Sequence, residues 1–141
     1  MGEGVELIKR FYDEALGDGN TDLIEELTTD DFVDHSPSLP GAPPGKEGVV
    51  FFIKTMREAF PDLEATVGPS LEQGDLAAAR TMIKGTHKGE FLGVAASDKS
   101  FEFESIDIIR VDGGRCAEHW GVGDVMSLME QIGAIPEPAS T

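Results

Sequence analysis

The chain of 141 residues is long enough to bury a substantial core, and we expect one domain over 1–141 with a loose tail from about residue 134. Its formal net charge of −16 argues against nucleic acid and anionic membranes as partners, because a polyanionic surface repels phosphates. No apolar run approaches the roughly 18 residues of a membrane span, and the single cysteine, Cys116, cannot form an internal disulfide. We therefore expect a cytoplasmic protein.

Helical spacing predicts three helices in the first half of the chain. Apolar residues recur at a period near 3.6 over 4–17, and a shorter helix follows through Leu27. An extended segment is predicted at 31–35, and a third helix at about 46–60 is stopped by Pro61. Residues 36–45 contain four prolines and two glycines, which predicts a loop at the rim of the molecule.

From Leu63 onward the hydrophobic period changes towards two, which predicts strands. We expect four long antiparallel strands: one beginning near Leu63 and three at about 76–88, 101–111 and 115–120. A turn over 121–123 is predicted to precede a last amphipathic helix. Helices segregated from hairpin-linked strands indicate an α+β fold, in which three to four helices wrap a curved sheet around a concave interior.

Six segments of the chain together resemble one known family. In chain order they are 11–14 (FYDE), 31–35 (DFVDH), 59–63 (AFPDL), 85–93 (GTHKGEFLG), 107–111 (DIIRV) and 118–120 (EHW). This combination is similar to the SnoaL-like polyketide cyclases of the NTF2-like superfamily, and the resemblance extends from about Val5 to Gly133. Because this fold hosts many functions, the resemblance specifies the fold more closely than the reaction.

The resemblance implies a cone-shaped barrel with a pocket for an apolar small molecule, no metal, no cofactor and a homodimer formed through the sheet. Characterised members close rings in aromatic polyketide esters by intramolecular aldol condensation. Their general acid/base is an acidic residue two positions after the histidine of an acidic-His pair, which looks like Glu118-His119 here, so that Gly121 stands at the acid's position. The family's pocket histidine matches Asp107, and the histidine of its Gly-x-His-x-Gly segment is retained as His87.

Two carboxyl groups are candidates for acid/base catalysis. Asp107 lies within a strand of alternating pattern, and loss of hydration on an apolar face suits a carboxyl to proton transfer near neutral pH. A cross-strand ion pair with Arg80 or Lys84, or a position in solvent, is the alternative. Asp124 directly precedes an apolar helix, where it is either an N-cap or a second carboxyl of the pocket.

The three histidines are further candidates, since imidazole titrates near neutral pH. His119 and His87 are predicted to assist proton transfer, with a hydrogen-bonded structural role as the alternative for each. Alternation along the last strand places His119 and Trp120 on opposite faces, so only one of them faces a pocket. His35 and Asp34 either face the mouth of the cone or belong only to the loop that follows. The scattered positions of the histidines argue against a metal site.

Large apolar side chains are candidates for contacts with a substrate, although the same spacing is typical of a plain core. The predicted substrate-binding residues are His35, Asp34, Phe52, Met56, Phe103 and Trp120.

Three hypotheses follow for the function. The first is a cofactor-independent, polyketide ester cyclase-like enzyme that transfers protons alpha to a carbonyl through Asp107, with His87, His119 or Asp124 assisting. The second is a non-catalytic domain for ligand binding or association, which is favoured by the missing side chain at Gly121. The third is an isomerase or hydrolase of the same superfamily.

Overall fold

The computed structural model describes residues 2–37 and 39–136, so the predicted tail falls partly outside the described residues, over 137–141. The helices are α1 (Glu3–Arg10), a π-helical turn (Phe11–Leu16), α2 (Leu23–Leu27), α3 (Lys46–Ala59) and α4 (Val125–Gln131). The strands are β1 (Thr28–Asp34), β2 (Glu64–Gln73), β3 (Leu76–Thr86), β4 (Ser100–Asp112) and β5 (Arg115–Gly123). Within the described ranges, no helix is long and apolar enough to cross a membrane.

The five strands form one sheet in the order β1-β5-β4-β3-β2. Strands β2 to β5 are joined as antiparallel hairpins, and β1 joins the edge in parallel to β5. The β4–β5 turn is made by Gly113 and Gly114, which have φ values of 58° and 80°. Two successive positive φ angles give the turn type that matches the twist of a hairpin. The predicted α+β fold with its wrapped sheet is therefore confirmed.

The sheet has an apolar face beneath the helices and an outward face. On β3 and β4 alternate residues from Ala77 to Ile83 and from Phe101 to Ile109 are buried, as the period of two requires. They pack with the inward residues of the helices, such as Val5 and Ile53, in a single buried cluster. The intervening residues of β4, including Ile106, are exposed on the outward face.

Two strands are longer than predicted. Strand β1 begins at Thr28 rather than near residue 31, and β5 continues through Gly123, where a turn was predicted. The backbone of 121–123 pairs with 105–107 of β4, with Asp107 opposite Gly121. Glycine weakens a strand but does not prevent its ladder, and the partner strand extends the pairing here. This extra length carries Gly121 onto the inward face.

The first predicted helix changes its pitch partway along. After α1 the chain forms a π-helical turn, in which the Gly17 N–H donates to the carbonyl oxygen of Tyr12 at 2.9 Å, five residues earlier. Such turns are frequent at functional sites. The turn holds the buried Tyr12 against the inner face of the sheet.

Candidate active site

A cavity of about 540 Å³ lies between the inner face of the sheet and the helices. The Pro-rich loop contributes Pro37, Leu39, Pro43 and Pro44 to its wall, as expected of a loop at the rim. Most of the lining is apolar, and it includes Leu7, Phe52, Met56, Phe91, Phe103 and Leu128. A concave, mostly apolar space with a few polar groups is the usual form of a small-molecule site.

One wall of the cavity carries five polar side chains from four elements. Strand alternation turns Ser105 and Asp107 of β4 inward, and His119 of β5 lies on the same face. Asp34, the last residue of β1, pairs in register with His119, and Tyr12 reaches the group from the π-helical turn. Secondary structure thus brings together residues that are up to 107 positions apart in the chain.

These side chains form one continuous hydrogen-bonded chain. His119 lies between two carboxylates, with Nδ1 2.9 Å from Asp34 Oδ1 and Nε2 2.7 Å from Asp107 Oδ1. The second oxygen of Asp107 accepts from the Tyr12 hydroxyl at 2.5 Å and from Ser105 Oγ at 3.1 Å. The carboxylate of Asp107 therefore accepts three hydrogen bonds, and a carboxylate offers about four acceptor positions.

The imidazole of His119 carries a positive charge at neutral pH. Desolvation opposes that charge, but hydrogen bonds from the ring to Asp107 and Asp34 outweigh it and raise the pKa of His119 to about 9. Both ring nitrogens then donate, which matches the acceptor on each side. The resulting triad of two carboxylates and one imidazolium has a net charge of −1.

The groups at the two ends of this hydrogen-bonded chain, Asp34 and Tyr12, respond to the same charges. Burial disfavours the ionised form of Asp34, yet the hydrogen bond from His119 outweighs this and lowers the pKa of the carboxyl. Desolvation, followed by the charge of Asp107, raises the pKa of Tyr12 well above its usual value. Tyr12 therefore stays a neutral phenol that donates to Asp107.

The family is decided by a match along most of the chain: the family model of the SnoaL-like polyketide cyclases matches residues 6–132. The chain belongs to this family. The relatives include the aklanonic acid methyl ester cyclase DauD of a Streptomyces species, which is 27% identical over 138 residues, 94% of this chain and 83% of that protein. The nogalonic acid methyl ester cyclase of Streptomyces nogalater is 22% identical over 84% of this chain and 90% of its own.

Solved structures of similar proteins share the fold. TsrD from Streptomyces laurentii is 27% identical and superposes with a TM-score of 0.83 over 94% of this chain and 96% of its own. A candidate polyketide cyclase from Bacillus cereus is 32% identical, with a TM-score of 0.82 over 94% of this chain and 82% of its own.

Six of the predicted site residues line the cavity of this SnoaL-like protein. Asp34, Asp107 and His119 are joined in the hydrogen-bonded chain described above, whereas Phe52, Met56 and Phe103 form part of the apolar wall.

His87 lies elsewhere, fully buried at the base of the loop that follows β3. Its Nδ1 accepts a hydrogen bond from the backbone N–H of Ser97 at 3.2 Å, and its ring packs against Phe60 with the centroids 5.9 Å apart. For Nε2 the described residues offer no hydrogen-bond partner. His87 is absent from the described cavity lining, so the structure does not bring it together with Asp107 and His119.

His35 and Trp120 lie on the outward face of the sheet. Their rings stack with centroids 4.8 Å apart, and His35 Nε2 is 3.0 Å from Glu118 Oε1. Neither ring belongs to the described cavity lining. For Trp120 the reason is alternation: His119 points inward, so the next residue of β5 points outward. His35 follows directly after the end of β1 and stacks on Trp120.

Asp124 acts at the start of α4. Its carboxylate accepts a hydrogen bond from the Ser127 N–H at 3.1 Å, which is the N-cap geometry. It is not among the described residues that line the cavity.

Two polar members of the site, Tyr12 and Ser105, were not predicted from the sequence. Tyr12 belongs to the apolar stripe of the first helix, and nothing in helical spacing shows that its hydroxyl meets a carboxylate from β4. Ser105 carried a usable signal, because it lies two residues from Asp107 and therefore shares its face of the strand.

Proposed function

We propose that this protein is an ester cyclase-like enzyme that closes a ring in a polyketide-type substrate by proton transfer alpha to a carbonyl, without a cofactor. The observation that carries this proposal is the chain Asp34–His119–Asp107–Tyr12 at the polar wall of a mostly apolar cavity. The family and its methyl ester cyclases support the substrate class.

The charges of the cavity favour a neutral ester over a free acid. Among the described residues, no Lys or Arg lines the cavity, and its triad has a net charge of −1. A substrate carboxylate would lose its hydration there without a free cationic partner, because both ring nitrogens of the His119 imidazolium already donate to Asp34 and Asp107. Such a loss is costly. An ester carries the same carbonyl without that charge.

The proposed reaction begins with Asp107 as the base. Its carboxylate accepts a proton from the carbon next to a carbonyl, and the C–H electron pair forms an enolate. The enolate carbon then attacks a second carbonyl carbon of the same molecule, so that a C–C bond forms and the carbonyl π pair moves to oxygen. That oxygen takes the proton back from Asp107, and no atom is gained or lost. The imidazolium of His119 and the phenol of Tyr12 donate to the Asp107 carboxylate and hold it in place between turnovers.

The test compares two carboxyl variants on a panel of aromatic keto-esters and the matching free acids. Asp107→Asn removes the base and keeps the shape, so turnover is expected to fall by at least about 100-fold, the lower range for general base catalysis. Asp124→Asn keeps an N-cap outside the described cavity lining and is expected to retain turnover. The free acids are expected to bind more weakly than their esters. Unchanged turnover in Asp107→Asn would refute the assignment.

A second candidate function is ligand binding without catalysis. The observation that favours it is the engagement of Asp107 by three donors, which occupy most of the acceptor positions that its carboxylate would use to accept a proton. A thermal shift with the keto-esters, measured beside the turnover assay, separates the two functions. Stabilisation by an ester that is never converted would favour binding alone.

We further propose a cytoplasmic homodimer formed through the outward face of the sheet. Its support is the exposure of Ile106 and Ile108, 52% and 40%, beside the stacked rings of His35 and Trp120. Large apolar side chains that are clustered on a surface are typical of an interface. The free thiol of Cys116 suits a reducing compartment.

A further inference from the structure

Gly121 lies near the end of β5, at a position where the backbone does not require a glycine. Its φ lies outside the left-handed region that favours glycine, so other residues could adopt this backbone. It is paired with Asp107 across the strands and lies two residues after His119 on the same face. The presence of a glycine beside Asp107 and His119 therefore needs another explanation.

The explanation is steric, because there is no room for a side chain at this position. A Cβ atom at position 121 would lie 2.6 Å from Asp107 Oδ1 and 2.9 Å from His119 Nε2, which is closer than such atoms approach. These two atoms are the ends of the 2.7 Å hydrogen bond between base and imidazolium. At Gly123, two residues further on, a Cβ would meet only ordinary contacts at 3.8 Å or more.

We propose that Gly121 is a positioning residue of the acid/base site, whose missing side chain leaves the space in which Asp107 and His119 meet. This inference deepens the proposed function and rests on it for the role of Asp107. Neither partner can move aside freely, because Tyr12 and Ser105 hold the carboxylate and Asp34 holds the imidazole. A methyl group at position 121 would therefore separate the two groups rather than be accommodated.

The experiment compares Gly121→Ala with Gly123→Ala, which adds the same methyl group to the same strand. NMR titration of the imidazole is expected to give a pKa near 9 for His119 in the wild type and in Gly123→Ala. In Gly121→Ala it should fall by at least about one unit, because the hydrogen bond to Asp107 favours the charged form. The kcat on a keto-ester should fall by about 100-fold with a KM within about threefold, since misplacement of a catalytic group costs on that order.

Thermal unfolding provides a second readout if Gly121→Ala is poorly folded. Gly121→Ala should lower the melting temperature clearly in the wild type and by less in an Asp107→Ala background, where the crowded carboxylate is absent and only the contact with His119 remains. A His119 pKa that stays near 9 in Gly121→Ala would overturn the inference, and so would equal effects of the two glycine variants or an equal loss of melting temperature in both backgrounds. If the wild type shows no turnover, the proposed function fails, while the titration and the unfolding cycle still decide the role of Gly121.

Discussion

The imidazolium of His119 joins two carboxylates that would otherwise repel each other within the cavity. The side chain of His119 is 22% exposed, and those of Asp34 and Asp107 are 17% and 11% exposed. Removing one member of such a group leaves the others without compensation for their lost hydration. At the scale of single residues, the triad is therefore a unit in which each charge depends on the next.

This dependence predicts a fall in stability at alkaline pH. The pKa of His119 is raised from 6.5 to about 9 in the folded protein, so its stabilisation is complete below 6.5 and is lost as the pH rises through 9. At about 1.4 kcal/mol per unit, the free energy of unfolding should fall by on the order of 2–3 kcal/mol over that range. Urea titration at several pH values measures this change in the free energy of unfolding.

The control for this prediction is His119→Gln, which removes the titrating group and should flatten the dependence between pH 6.5 and 9. The lowered pKa of Asp34 acts at the other end, because its contribution is present above 3.8 and is lost as the pH falls through the folded value. An equal alkaline loss in the wild type and in His119→Gln would contradict the assigned charge state.

At the scale of elements, α4 is a short helix whose start depends on one side chain. We expect Asp124→Ala to lower the free energy of unfolding by about 1 kcal/mol, the usual cost of losing an N-cap, because the Ser127 N–H loses its acceptor. Asp124→Asn should retain most of that stability, since Asn caps nearly as well. Urea unfolding of the wild type and the two variants tests this difference in stability. A loss of turnover in Asp124→Asn would instead support a role for Asp124 in the reaction.

Local patterns were sufficient to predict the elements and insufficient for their ends. Period-two spacing located β3 and β4, and the glycines of the 113–114 turn located a hairpin. The predicted end of β5 was wrong because the sequence of 121–123 in isolation indicates a turn, whereas pairing with β4 keeps this segment extended. Strand pairing between distant segments is not contained in the local sequence.

The same limit applies to the site. Alternation established that His119 and Trp120 lie on opposite faces, but only the packed helices show which face is the inner one. The contact of Tyr12 with Asp107 joins residues 95 positions apart, and no spacing rule predicts it. Candidate residues on a shared strand face were found from the sequence, and their hydrogen-bond partners required the fold.

At the scale of the whole molecule, the outward face of the sheet is expected to hold two copies together. Ile106→Glu should convert the proposed dimer to a monomer, because it places a charge in an apolar contact between chains that already carry a net charge of −16. Sedimentation velocity measures the change. Leu92→Glu, at an exposed apolar residue in a loop, is the matched control and should leave the dimer intact. A wild type that sediments as a monomer would contradict the dimer.

The residues at positions 107 and 121 have to match each other, since a side chain at 121 would overlap the Asp107 carboxylate as it lies here. A single substitution at either position therefore leaves a steric clash or a cavity. Transfer of the acidic residue from one strand to the other during evolution thus requires substitutions at both positions. We expect the two positions to covary among homologues, with glycine at 121 wherever aspartate occupies 107 and a different residue at 107 wherever 121 bears a side chain.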